Sequence, residues 1–108
     1  MGQERYVSPS ERARRLIEKG VAAWQRLQAF AMENDDVVDS LVLRGQQLWL
    51  PHHETDGREF RVTLMVDLHY PSENTANAHA QIAAFLQHLE QELTDNDGRL
   101  SVGLEPST

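Results

Sequence analysis

From Phe60 to His69 apolar and polar residues alternate without a break. Phe60, Val62, Leu64, Val66 and Leu68 fall on one side, and Arg61, Thr63, Met65, Asp67 and His69 on the other. Period two is the spacing of a β-strand with one face against a core. Five apolar positions fix its register, because a slip of one residue would turn all five towards water. This stretch is the principal strand. Ahead of it the period changes: Ala13, Leu16, Ile17, Gly20, Trp24, Leu27 and Ala31 recur three and four apart. That spacing predicts an amphipathic helix from Pro9 to Glu33, roughly 37 Å long at the α-helical rise. Its start is written in Ser8-Pro9-Ser10-Glu11, where Ser8 can accept from the Glu11 amide as N-cap and Pro9 brings a preset φ to the first helical position. Gly20 inside the apolar stripe costs about 1 kcal/mol relative to alanine, which points either to another backbone passing close or to a merely tolerated glycine.

Between helix and principal strand, Val37 to Leu43 and Gln47 to His53 read as two strands joined by a turn at Gly45-Gln46. A second turn at Asp56-Gly57 leads into Phe60, completing an antiparallel meander. With two-residue turns, Val42, Trp49 and Leu64 share one face. Leu41, Leu43, Leu48, Leu50 and Met65 share the other. Tyr70-Pro71-Ser72 stops the principal strand. A second helix follows from Asn74 to Thr94, with Ile82, Phe85, Leu86, Leu89 and Leu93 on one stripe, and Asp95 to Gly98 ends it. Arg99 to Leu104 alternates again and predicts a last strand, parallel to the principal strand across the helix. The expected architecture is α+β: a three- or four-stranded, mainly antiparallel sheet with two helices in the order αβββαβ. It forms one domain over 8–104 with tails at 1–7 and 105–108. Trp24, Leu27, Trp49, Phe60, Val62, Leu64, Phe85 and Leu89 are the expected core.

The apolar face made by Leu41, Leu43, Leu48, Leu50 and Met65 changes the picture, since monomers avoid contiguous exposed apolar patches of that size. Either one helix covers each face, or both helices stack on the Phe60 to Leu68 face and another chain covers the second. The second case makes Leu41, Leu43, Leu48, Leu50 and Met65 a partner or homodimer interface.

Charge adds an asymmetry. The net charge is −7, yet residues 1–26 hold six of the ten basic groups against three of the seventeen acids. An acidic total argues against sequence-independent nucleic-acid binding. On a helical wheel Arg12, Arg15, Lys19 and Arg26 cluster within about 60° of one another, roughly 120° from the centre of the apolar stripe of the first helix. They read either as a solvated flank or as an electrostatic contact for an acidic partner. Hydrophobic residues at 40% and charged residues at 25% are ordinary for a globular protein. The absence of cysteine excludes thiolate chemistry and disulfides. With no apolar run near the ~20 residues of a membrane span and a charged start, the chain reads as cytoplasmic.

Five histidines invite a metal or catalytic reading, and geometry removes most of it. His52 and His53 are adjacent on a strand and point apart, while His79 and His88 sit nine apart on opposite sides of a helix. Asp67 and His69 share a strand face, the orienting half of an acid–base site. They define the rival reading of a small enzyme. Ser40 and Ser72 lack a nucleophile elbow, no Gly-rich phosphate loop occurs, and Asp35, Asp36 and Asp39 lack calcium-loop spacing. No metal or cofactor is expected.

The order helix, meander, helix resembles double-stranded RNA-binding domains, but those carry a lysine cluster where Ser72 to Asn77 has no basic group. It also looks like class I type III secretion chaperones, dimers that wrap an effector segment. Size and layout, with the long helix Pro9 to Glu33, the meander Val37 to His69 and the helix Asn74 to Thr94, further resemble the small quorum-sensing antiactivators of Pseudomonas. That resemblance implies a regulator that sequesters a transcriptional activator, and no binding residues carry over from it. The expected function is a small cytoplasmic, homodimeric protein-binding regulator, not an enzyme. A secretion chaperone is the main alternative.

Overall fold

The strand with the strict alternation lies at the centre of the sheet. The computed structural model describes residues 8–51, 59–71, 73 and 75–106. Helix α1 (Pro9–Glu33) is followed by strands β1 (Ser40–Trp49) and β2 (Arg61–His69), helix α2 (Thr75–Leu93) and strand β3 (Arg99–Pro106). The fold is α+β with two helices and a three-stranded sheet in the order β1-β2-β3. β1 runs antiparallel and β3 parallel to β2. Val62, Leu64, Val66 and Leu68 are buried, and the residues between them are not. Each such side chain contributes about 1.5–3 kcal/mol on leaving water.

Both helices pack on that one face, and among the described residues no element covers the other. Leu16, Ala23 and Leu27 of α1 and Ala78, Ile82, Leu86 and Leu89 of α2 close the core over β2. Phe30 and Phe85 stack across the helix pair with ring centroids 4.3 Å apart. α1 begins where its cap predicts, with the Ser8 hydroxyl accepting from the Glu11 amide at 3.2 Å. Gly20 faces the sheet as its place in the stripe predicts. What crowds it is side chain rather than backbone: a Cβ there would stand 2.5 Å from Oε1 of Gln46 and 3.3 Å from Val62.

The largest departure from the sequence reading is β1. Gly45-Gln46 does not form a hairpin; one strand runs through it, with a register shift between Leu43 and Gly45 that leaves Arg44 as the extra residue of a β-bulge. The physical cause is a switch of parity. Leu41 and Leu43 are odd-numbered and Leu48 is even, so an unbroken strand would send them to opposite faces. The bulge re-phases the alternation, and all three face the core opposite Leu68, Val66 and Val62. The strand predicted over Gln47 to His53 therefore ends at Trp49, the end of β1. His52, His53 and the Asp56-Gly57 turn lie outside the described residues. The element order is αββαβ. Of the expected core, Leu27, Phe60, Val62, Leu64 and Leu89 are buried and Trp24 and Phe85 partly so, whereas Trp49 is 59% exposed because the bulge turns it to the open face.

The α2–β3 turn is tight. Asp95 and Gly98 exchange backbone hydrogen bonds of 3.0 and 3.2 Å, and the Arg99 amide donates to the Phe60 carbonyl at 2.8 Å. Gly98 has φ +153°, and a Cβ there would meet Leu16 at 2.5 Å and the Phe60 carbonyl oxygen at 3.1 Å. Both the conformation and the space demand glycine. Gly98→Ala is expected to destabilise the protein by about 2–3 kcal/mol. Gly103→Ala, whose Cβ would meet nothing nearer than the Leu64 carbonyl at 3.9 Å, should change stability by less than about 1 kcal/mol. Urea unfolding of the two variants measures the contrast.

Candidate functional site

The basic stripe of α1 has its acidic partner inside the chain. Arg15 reaches Asp97 at 2.9 Å, and Arg12 lies 3.9 Å from the same carboxylate with its guanidinium 4.7 Å from the centroid of the Phe60 ring. Lys19 is buried; its Nζ donates to the Leu93 carbonyl at 2.6 Å and pairs with Asp95 at 2.9 Å. Arg26 pairs with Glu92. Arg12, Arg15, Lys19 and Arg26 thus hold α1 against the single segment that closes α2 and opens β3. They are spent on the fold, and the acidic partner read from the wheel is the stretch Glu92 to Asp97.

Three carboxyl groups feel this clasp and its surroundings. Hydrogen bonds from Arg14 and then Arg15 hold Glu11 below the ordinary glutamate range. A hydrogen bond from Arg26 does the same for Glu92. Burial alone would raise Asp95, but hydrogen bonds from Lys19 and from the Asp97 and Gly98 amides, with the charge of Lys19, outweigh it and leave Asp95 lowered.

The five residues proposed as one apolar interface do not share a face. Leu41, Leu43 and Leu48 are half-buried under the helices and pack against the core. Met65 is half-buried on the opposite face, where a Cβ on Gly45 would stand 3.3 Å from its Cε, and Leu50 is exposed just beyond β1. The bulge at Arg44 is again the reason.

Exposed apolar surface exists elsewhere. Large exposed apolar side chains are Ile17, Val21 and Met32 on α1, Val42 and Trp49 on β1, and Leu50 beside them. Among the described residues none lies on α2, β2 or β3. Ile17 and Val21 stand one turn apart on the flank of α1 away from its ion pairs with Asp95 and Asp97. Sequence periodicity places Ile17 in the stripe, and only the position of the sheet beneath shows that it lies outside the buried part.

The two sheet edges also differ. On β3 the Leu100 amide donates to Thr94 Oγ1 at 3.1 Å and the Val102 amide to Glu90 Oε2 at 2.8 Å. Side chains from α2 and its end thus cap the outer amides of that edge strand. Among the described residues no side chain caps the outer edge of β1. Uncapped edges are where strands pair with other chains.

Asp67 and His69 do share the open face, as their spacing predicts. Asp67 accepts from Arg44 Nη1 at 3.1 Å, a cross-strand ion pair. A cleft of about 660 Å³ lies at the other end of the sheet against Trp49, Arg61 and Arg99. Along β2, Arg61 is roughly 26 Å from His69 at the strand rise. His79 meets the Tyr70 hydroxyl at 2.8 Å through Nδ1, and His88 pairs with Glu92 at 3.2 Å. Among the described residues no group of three His, Cys, Asp or Glu is placed to hold a metal ion, and no helix is long and apolar enough to cross a membrane. No protein-family model, curated protein or solved structure matches this chain.

The clasp generates a prediction about pH. A carboxyl whose folded pKa is depressed stabilises the fold above its unfolded pKa, and that contribution is lost as pH falls through the folded value. With Glu11, Glu92 and Asp95 all lowered, stability should decline from about pH 4 downwards. Lys19→Met leaves the Leu93 carbonyl and Asp95 without their partner, and should cost about 2–3 kcal/mol at neutral pH. The gap between wild type and variant should narrow as pH drops below about 4; urea titrations across that range test both statements.

Proposed function

We propose that this chain is a small protein-binding regulator, not an enzyme, and that it holds its partner on the side formed by α1 and β1. The observation that supports the reading is the distribution of exposed apolar side chains: among the described residues the large ones are Ile17, Val21 and Met32 on α1 and Val42, Trp49 and Leu50 on or just beyond β1. Single exposed apolar residues are normal on a surface, whereas their confinement to two adjacent elements marks an interaction site. Apolar contacts of this kind supply affinity, and steering by Arg12, Arg15, Lys19 and Arg26 is no part of the reading because those groups are paired internally. Sequestering a transcriptional activator in the cytoplasm is the form of regulation it adopts, in line with the likeness of size and layout to antiactivators. That likeness now stands on two strands between the helices, not three.

One observation favours a second reading, a homodimer in which β1 pairs with β1 of another copy. The outer amides of β3 are capped by Thr94 and Glu90, and β1 carries a single charge, Arg44. Strand addition at β1 would extend the sheet across a two-fold axis and bring the two α1 flanks together.

A photo-crosslinking side chain at Gln28 on α1, with Gln81 on α2 as control, distinguishes these outcomes in cells that express the protein. Both positions are exposed. Gln28 should yield a discrete adduct and Gln81 none. An adduct of twice the chain mass assigns the homodimer, and one containing another protein assigns the regulator. Ile17→Glu combined with Val21→Glu should abolish the adduct while changing stability by no more than about 0.5 kcal/mol per site. Equal labelling from both positions, or none from either, overturns the proposal.

A further inference from the structure

The open face of the sheet carries a row of three side chains, of which the protein-binding reading uses only the first, Trp49, and the fold uses neither of the other two. Trp49 is the cross-strand neighbour of Arg61 in the antiparallel pair, and Arg61 is the neighbour of Arg99 in the parallel pair. All three are exposed, and all three line the cleft of about 660 Å³ at this end of the sheet. Every other basic side chain among the described residues that the ion pairs record is matched with a carboxylate: Arg12, Arg14, Arg15, Lys19, Arg26 and Arg44. Among the described residues Arg61 and Arg99 have no hydrogen-bond or ion-pair partner. Two guanidinium groups side by side on adjacent strands repel each other. In a chain with seventeen acids and a net charge of −7, leaving those two together and unmatched is a cost without structural return.

We infer that Trp49, Arg61 and Arg99 form a binding site for a phosphate ester carrying a flat ring, the chemistry of a nucleoside monophosphate. Two guanidinium groups on neighbouring strands present paired N–H donors to one anion, and their two charges match the −1.5 to −2 that a phosphate monoester carries at about pH 7. The exposed indole offers a stacking surface for a base. Strands stand roughly 4.8 Å apart, so the backbone of Trp49 is about 5 Å from that of Arg61 and about 10 Å from that of Arg99. A phosphate held between the two arginines is therefore set apart from a ring on Trp49 by a distance that a ribose spans. The cleft is of the size that holds small ligands, about 300–1,000 Å³. Its acids fit this picture. Asp95 is already engaged by Lys19 and the Asp97 amide, and Asn96 at the wall supplies an acceptor for sugar or base donors.

Titration of the ¹⁵N-labelled full chain with adenosine monophosphate, inorganic phosphate, phenyl phosphate and adenosine tests the site by NMR. The nucleotide should shift the Trp49 indole N–H and the Arg61 and Arg99 side-chain signals. The half-buried Trp24 indole, which packs on the helix side, should stay in place. Arg61→Gln and Arg99→Gln should each weaken nucleotide binding at least tenfold, whereas Arg44→Gln, on the same face but paired with Asp67, should leave it within twofold. Neither Arg61→Gln nor Arg99→Gln should lower the unfolding midpoint of the free protein, since each removes a repulsion. Phenyl phosphate binding as tightly as the nucleotide would overturn the nucleotide assignment, and inorganic phosphate doing so would overturn the role of Trp49. No shift at millimolar nucleotide, or equal weakening by Arg44→Gln, would sink the site altogether. Because these signals are read without any partner protein, the result is independent of the crosslinking outcome.

Discussion

The apolar face of β2 constrains everything around it. Val62, Leu64, Val66 and Leu68 are fully or almost fully buried, and a central strand flanked on both edges cannot rotate to share that surface with the other side. Both helices must therefore lie on one face. The opposite face is left with what the alternation puts there, Arg61, Thr63, Met65, Asp67 and His69, and with whatever its neighbours contribute. β1 meets this constraint through its bulge, which delivers Leu41, Leu43 and Leu48 to the helix side and Val42 and Trp49 to the open side. One extra residue at Arg44 thus decides which leucines are structural and which aromatic is displayed.

The second organising interaction is the clasp between α1 and the Glu92 to Asp97 segment. A 25-residue helix lying on a three-stranded sheet has a long lever arm. Pairing along its basic flank ties it to the turn that also sets the entry of β3. Gly98 sits at the same place, pressed under Leu16, so the helix, the turn and the start of β3 are fixed together. The electrical bipolarity of the sequence is used internally here: the basic amino-terminal part neutralises acids 66 to 85 residues away, from Arg26 with Glu92 to Arg12 with Asp97. Of these pairs the buried Lys19 carries the most weight, since exposed pairs such as Arg26 with Glu92 are screened by water and salt.

With the helix side consumed by the fold, two surfaces are left with chemistry to spare. The flank of α1 beside the edge of β1, which no side chain among the described residues caps, displays apolar groups, and the far end of the open face displays an indole beside two guanidinium groups with no partner among the described residues. They meet at Trp49, which belongs to both. Occupation of the cleft would therefore touch the apolar side, and the molecule's two candidate binding surfaces are physically contiguous through one side chain.

The sequence alone determined the elements whose signals are local. The capping residues Ser8 and Pro9 set the start of α1, the strict alternation set β2 and its buried face, and the Asp95 to Gly98 run set the stop before β3. These depend on hydrogen bonds and periodicities within a few residues. What the tertiary structure decided depends on contacts between distant segments. The parity switch between Leu43 and Leu48 can be satisfied by a turn or by a bulge, and only pairing with β2 selects the bulge. The basic stripe of α1 looks the same in sequence whether its acids lie on a partner or on Glu92, Asp95 and Asp97. Folding settles the matter by bringing those acids within reach. Arg61 and Arg99 are 38 positions apart in the chain and become neighbours because the α2 crossover lays β3 parallel to β2, a register that no local pattern encodes.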